Sequence, residues 1–442
     1  MRTARTSAKT RAGGRRYDRE IFGLALPALG ALAAEPTYIL VDTAIVGHLG
    51  TPQLAALAIA GTLLSTGITL FNFLTYGTTA RVARLHGAGE TAAAGRLGAQ
   101  ALWLALGLGG ALFLLMVLLA GPAVALMGGA GETGVMAVSY LRISALGLPF
   151  AMIALAGQGF LRGVGNLRRP LVILVAANAL NVVLELLFVY GFGWGLAGSA
   201  WGTVIAQSFM GAAFVYELLR APADSRRPRW SVMRPLLKVG GDIAVRTGAL
   251  LASFVLASAV VARMGEASLG AHQVAFGMFI FLALVLDAIA IAGQILVGRF
   301  LGAGDADAAY EAARRMIFWS VVVGFLFAAA LLAGTGAIPH AFTDDPAVIE
   351  QAHALWPLFA LMQPIGAAVF ALDGILIGAS DTRFLKWSMV AALAVFVPLA
   401  FGVLIFGLGV IGVWVALNVL MVVRLVTCGT RFLGRRWAIV GA

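Results

Sequence analysis

Four ionisable residues interrupt the apolar runs in the first half of the chain: Glu35, Asp42, Arg142 and Glu185. A charge inside such a run is costly and marks a functional candidate by default. Asp42 lies six residues before the end of a run at 21–48, and Glu185 five before the end of one at 170–190. At 1.5 Å per residue, both sit roughly 8–9 Å inside the same boundary. Asn178, Asn181 and Glu185 have i, i+3, i+7 spacing and share one helix face, while Glu35 and Asp42 share a face seven residues apart. Two carboxyls at matched depth, flanked by amides, can hold a proton or a cation, because like charges away from water resist joint ionisation. The alternative is an ion pair with Arg142, which begins the run at 134–161 at similar depth. The second half carries Asp242, Arg246, Asp287 and Asp373, all in the inner half of their runs. Asp242 and Arg246 are i, i+4 and are expected to pair. That favours a structural or gating network over a second ion site.

These residues need helices to carry them, and composition says which kind. Hydrophobic residues make up 61% of the 442 and charged residues only 12%, about half the share in soluble domains. Lipid must cover part of so much apolar surface. The single cysteine, Cys428, excludes a disulfide framework and any paired-cysteine metal or redox site. His48, His86, His272, His340 and His353 are scattered over five segments, so no metal centre is expected. Neither a nucleotide loop nor a nucleophile elbow is present, so neither catalysis nor a cofactor is expected. The net charge of +11 would suit nucleic acid only on a folded, solvated face. Here the basic residues lie between apolar runs, so no nucleic-acid partner is expected.

A spanning helix needs about 20 apolar residues. Twelve such runs fall near 21–48, 53–80, 97–120, 134–161, 170–190, 195–219, 236–263, 268–298, 314–333, 348–378, 385–406 and 408–430. Seven basic residues in 1–20 precede the first; the run behind them is too long for a signal-peptide core, so 1–20 reads as a basic cytoplasmic tail. With twelve spans, 28 of the 31 basic residues fall on the side of the termini, only Arg263 falls on the other, and Arg142 and Arg246 lie within spans. This asymmetry places both termini in the cytoplasm, and the Arg-, Ala- and Gly-rich composition suggests a bacterial inner membrane.

The chain also repeats itself. Gly50 and Gly265, Gly87-Ala88-Gly89-Glu90 and Gly302-Ala303-Gly304-Asp305, Pro149 and Pro364, and Gly163 and Gly378 are all separated by one and the same interval. Six spans per repeat is an even number, so the halves share orientation, as in transporters whose repeats are related by a pseudo-two-fold axis along the membrane normal. The expected architecture is therefore all-α and polytopic, with twelve transmembrane helices in two six-helix lobes. A tail covers 1–20, the lobes 21–220 and 235–434, a cytoplasmic linker 221–234 and a second tail 435–442. Asp42 has no acidic counterpart, since Ala257 occupies the equivalent position of the second repeat.

The span with Pro27, Glu35-Pro36, Asp42-Thr43 and Gly47-His48-Leu49-Gly50, the loop Gly87-Ala88-Gly89-Glu90, and the ends Gln158-Gly159-Phe160-Leu161-Arg162-Gly163 and Gly378-Ala379-Ser380-Asp381-Thr382-Arg383 resemble the multidrug and toxic compound extrusion family, in its DNA-damage-inducible (DinF-type) branch. The likeness covers nearly the whole chain after residue 20. The loop at 83–90 does not match the Gly-, Asp- and Arg-rich motif that the major facilitator family usually carries there. The resemblance implies a secondary antiporter that exports small amphipathic or cationic organic compounds against proton or sodium influx, with the two lobes rocking around a cavity. It implies a site lined by Asp42, Asn181, Glu185, Tyr140, Gln158 and Thr203, in which Glu185 stands for the usual Asp and Gln158 for Asn. It also supports bending of span one at Pro27 and Pro36 as Asp42 changes protonation, where the plain alternative is two static kinks. The partners implied are organic substrates and the lipid bilayer, with the protein acting as a monomer. A flippase for lipid-linked saccharides, from the same superfamily, would need a cationic cavity, and only Arg142 and Arg246 lie within spans. A non-transporting scaffold would not need acids at matched depth.

Overall fold

The computed structural model describes residues 2–441, with side chains from Tyr17 onward. Among the described residues the regular structure is helical, and the apolar runs form fifteen α-helices. In chain order these are α1 (Arg2–Gly47), α2 (Thr51–Leu70), α3 (Phe73–Gly87), α4 (Thr91–Leu118), α5 (Ala120–Leu126), α6 (Gly131–Ala145), α7 (Leu148–Gly163), α8 (Arg168–Leu186), α9 (Gly195–Arg220), α10 (Trp230–Ala262), α11 (Glu266–Gly302), α12 (Ala306–Ala333), α13 (Pro346–Gly378), α14 (Thr382–Ile405) and α15 (Gly409–Leu433). Among the described residues eleven segments are long and apolar enough to cross a membrane, with α2 and α3 counted as one; the bent pair α6–α7 makes a twelfth.

Two spans are interrupted, each for a local reason. Between α2 and α3 the N–H groups of Phe71 and Asn72 reach back only three residues, to Ile68 and Thr69, which tightens the turn. Between α6 and α7 the chain bends by 49°. Pro149 lacks a donor there, and Gly147, two residues earlier, adds little helix propensity. A side chain at Gly147 would strike the Gln207 amide, which fills the bend. In the second half Met362 stands where Gly147 does, and α13 runs through Pro364 unbroken.

By internal contact the chain forms two units, Gly30–Gly241 and Met1–Leu29 with Asp242–Ala442. The segment Met1–Leu29 counts with the second unit because Asp18 accepts hydrogen bonds from Arg315 (2.5 and 2.8 Å) and Trp319 (2.7 Å), and Glu20 pairs with Arg299. The non-helical part of the expected linker is 221–229, since Trp230 already begins α10. It is docked on α4: Gln100 donates to Arg227 O at 2.8 Å and accepts from Arg229 N at 2.7 Å. The terminal segment also packs back: Trp437 is buried and stacks on Phe432, and the Gly441 N–H bonds Leu301 O.

The repeat is legible in how helices touch. Inside Gly30–Gly241, a Cβ on Gly109 would lie 2.6 Å from Pro149 Cα, one on Gly159 2.7 Å from Thr75 O, and one on Gly163 3.0 Å from Thr79 O. Inside the other unit, Gly324 meets Pro364 Cα at 2.7 Å, Gly374 meets Ala290 O, and Gly378 meets Gln294 O at 2.5 Å. Each contact of the second set is one of the first set moved along the chain by the repeat interval. Helices without a side chain at the crossing pack backbone to backbone, the usual way membrane helices associate. At Gly165 the chain takes φ 79°, and its counterpart in the second repeat, Ser380, takes φ 60°. The same left-handed turn is kept there despite the cost of a Cβ.

Candidate functional site

Within Gly30–Gly241, three helices each present an i, i+4 pair: Tyr38 and Asp42 on α1, Asn181 and Glu185 on α8, and Ser199 and Thr203 on α9. Because α9 runs opposite to the other two, the pairs assemble into two polar layers one helical turn apart.

In the outer layer, Ser199 Oγ lies 2.9 Å from Asp42 Oδ1 and 2.6 Å from Glu185 Oε1. All three side chains are buried, Glu185 completely. A hydroxyl owns one proton, so both contacts are hydrogen bonds only if one carboxyl brings a proton and donates it to Ser199. In the inner layer Asn181 Nδ2 donates to Thr203 Oγ1 at 3.3 Å, and Tyr38 Oη lies 3.1 Å from the same oxygen. Among the described residues, two buried oxygens here, Asn181 Oδ1 and Glu185 Oε2, have no hydrogen-bond partner. Buried acceptors left bare are costly, so a donor or a cation there is stabilising.

The backbone around the layers is fixed from α8 and the turn that follows it. Asn178 Nδ2 donates to Ala34 O at 3.0 Å, and Tyr190 Oη to Ile45 O at 2.6 Å, one pin on each side of Asp42. Past Glu185 the helix loosens into a π turn, Leu187–Gly191, a distortion common near functional sites. Gly202 lets α9 approach: a Cβ there would lie 3.2 Å from Glu185 Cγ.

Two cavities meet at this site. One, of about 390 Å³, is lined by Glu35, Tyr38, Asp42, Tyr140, Thr203 and Gln207 among others. The second, of about 140 Å³, shares Glu35, Tyr38, Thr203 and Gln207 and adds Gln158, Asn178 and Asn181. The expected residues Asp42, Glu185, Asn181, Asn178, Thr203 and Tyr140 are therefore together. Gln158 lies in the smaller cavity, where it accepts from Arg162 at 3.2 Å, and not beside the carboxyls. Helix α1 continues through Pro27 and Pro36. Ser199 and Tyr38 were not foreseen, although each stands four residues from a residue that was: Ser199 before Thr203, and Tyr38 before Asp42.

Arg142 does not take part. It is exposed, pairs with no acid among the described residues, and lines a different groove. Its position on α6 explains this: Tyr140 and Ser144 face inward, and a residue two places from either points away.

In the other unit the expected Asp242–Arg246 pair is not formed. Asp242 pairs with Lys386 at 2.5 Å, while Arg246 reaches the buried Asp373. Asp373 also takes Arg424, which is buried in α15; it lies inside the run 408–430, although the charge count takes it on the side of the termini. Asp287 is half-buried on α11.

The MatE family model matches the chain twice, over residues 27–187 and 244–410. A chloroplastic DETOXIFICATION 44 protein of Arabidopsis thaliana is 33% identical, over 94% of this chain and 82% of its own. The DNA damage-inducible protein F of Escherichia coli is 31% identical, over 92% and 90%. Among solved structures, a MATE protein in the bent conformation has the same fold, with a TM-score of 0.87 over 97% of both chains at 20% identity. A double match, once in each half of the chain, with relatives aligned nearly end to end, leaves one assignment: the chain is a membrane transporter of the multidrug and toxic compound extrusion family.

Proposed function

We propose that this transporter is an antiporter that exports small amphipathic or cationic organic compounds by alternating access, driven by cation influx at Asp42 and Glu185. The carrying observation is the serine bridge: two buried carboxyls share one hydroxyl, an arrangement complete only with an additional proton. The joined cavities suit the cargo. The larger is within the size range of small-molecule sites, and Tyr38 and Tyr140 offer aromatic faces to an organic cation beside Asp42. Sodium is the second reading, favoured by the bare oxygens of Asn181 and Glu185, which could coordinate a hard cation. Pro27 and Pro36 allow α1 to bend as the charge on Asp42 changes. The charge asymmetry of the loops supports a bacterial inner membrane, with both termini cytoplasmic; the protein is taken to work as a monomer.

Proteoliposomes with separately imposed proton and sodium gradients test this. Dye export driven by the proton gradient alone is expected. Export that follows only sodium selects the second reading, and export indifferent to both gradients refutes coupling.

A further inference from the structure

Arg142 is a cation on an apolar, outward-turned helix face, and none of the described residues answers its charge. Along the bent pair α6–α7 the exposed positions run Val135, Ser139, Arg142, Leu146 and Phe150, while Ala137, Tyr140, Leu141, Ser144 and Ala145 are buried. The exposed stripe is therefore the membrane-facing side of this span. Nearby, Leu118, Leu126 and Met127 are also exposed, as lipid contacts would be. Arg142 has no hydrogen-bond or ion-pair partner among the described residues. The only acid on α6, Glu132, lies ten residues earlier, about 15 Å along the axis. Unpaired charge at this depth is costly unless it snorkels or finds an anion.

The geometry supplies a place for that anion. Side chains on a helix lean toward its N-terminus, and α6 enters from the side away from the chain termini. The Arg142 guanidinium is thus carried toward the membrane surface, along an open groove of about 550 Å³ between α5 and α6. Val124, Gly131, Val135, Val138 and Ser139 line it with Arg142. Glycine at 131 and 134 keeps the upper end clear, Ser139 adds a hydroxyl donor, and the valines provide an apolar wall. A guanidinium and a hydroxyl above an apolar trough match a phosphodiester with an acyl chain below it.

We propose that the α5–α6 groove binds the headgroup of an anionic phospholipid in the outer leaflet, with Arg142 and Ser139 on its phosphate. A zwitterionic lipid carries its own ammonium beside the phosphate, so it competes poorly for the one guanidinium.

Native mass spectrometry of the purified protein, titrated with phosphatidylglycerol or phosphatidylcholine, is the test. Wild type is expected to hold its tightest phosphatidylglycerol about five-fold more strongly than Arg142→Gln, with Arg142→Lys in between. Phosphatidylcholine binding should be weaker and the same in all three. Equal phosphatidylglycerol occupancy in wild type and Arg142→Gln overturns the proposal, as does phosphatidylcholine binding that matches phosphatidylglycerol in the wild type. A photo-crosslinking phosphatidylglycerol gives a readout needing no variant: adducts within 121–143 support the site, and adducts confined elsewhere overturn it.

Discussion

Replacing Asp42 by Asn should stop coupled export while leaving the fold in place. Bonds of 2.9 and 2.6 Å meet at Ser199 Oγ, so the two carboxyl oxygens are at most about 5.5 Å apart. At that distance and an effective dielectric constant of about 20, two negative charges repel by about 3 kcal/mol. The doubly ionised pair is thus disfavoured by roughly 100-fold, and a cation arriving there is held by both acids together. Asparagine keeps an oxygen to accept from Ser199 and removes the repulsion, so stability should change by about 1 kcal/mol or less. What it removes is the capacity to load and unload a cation. Dye efflux from proteoliposomes under an imposed gradient should fall at least ten-fold, and cargo affinity, read by tryptophan fluorescence, should lose its dependence on pH. Glu185→Gln should do the same, since the cation belongs to the pair. Efflux at the wild-type rate in Asp42→Asn, with the protein equally abundant in the membrane, would refute the reasoning.

Two other predictions concern the second unit. Gly374→Ala forces a Cβ onto Ala290 O and should cost about 1–3 kcal/mol or more, whereas Gly366→Ala, with open space around it, should be near neutral; thermal unfolding in detergent separates them, and equal melting would contradict the backbone contact. Asp373→Asn leaves the Arg246 and Arg424 guanidinia facing a neutral amide and should cost about 3–5 kcal/mol; an unchanged melting temperature would show that the cluster is not structural.

The helices and the repeat were legible because both follow from the solvent. A bilayer demands about 20 apolar residues per crossing, and glycines at fixed spacing mark where backbones must touch. The Asp42 and Glu185 carboxyls were legible for the opposite reason, since a charge in an apolar run stands out. Ser199 was not, because a serine costs little inside a membrane helix and gives no contrast. It gains meaning only once α9 is known to run antiparallel beside α1 and α8. Arg424 was counted on the side of the termini although the run 408–430 contains it, because hydropathy does not show that a buried acid on another helix compensates a charge inside a span. The Asp242–Arg246 expectation failed similarly: helical spacing made the pair possible, but Lys386 and Asp373 on other helices offered each residue a partner.

The two halves repeat a backbone and diverge in what they do with acids. In Gly30–Gly241, Asp42 and Glu185 face each other across one hydroxyl, and among the described residues neither pairs with a cationic side chain. In the other unit Asp373 faces two arginines and Asp242 a lysine. A carboxylate matched by a guanidinium gains nothing from a proton or sodium ion, because accepting one would leave the guanidinium uncompensated. Under the proposed function, coupling belongs where the acids are unmatched, and there the cavity wall is continuous with the layer of the two carboxyls. Thr203 and Tyr38 border both cavities and are hydrogen-bonded to each other, and Thr203 also to Asn181, one turn from Glu185. In the proposed antiport, a cation that reorients Asp42 and Glu185 would act on the wall of these cavities, and cargo bound there would weaken the cation in return by the same factor.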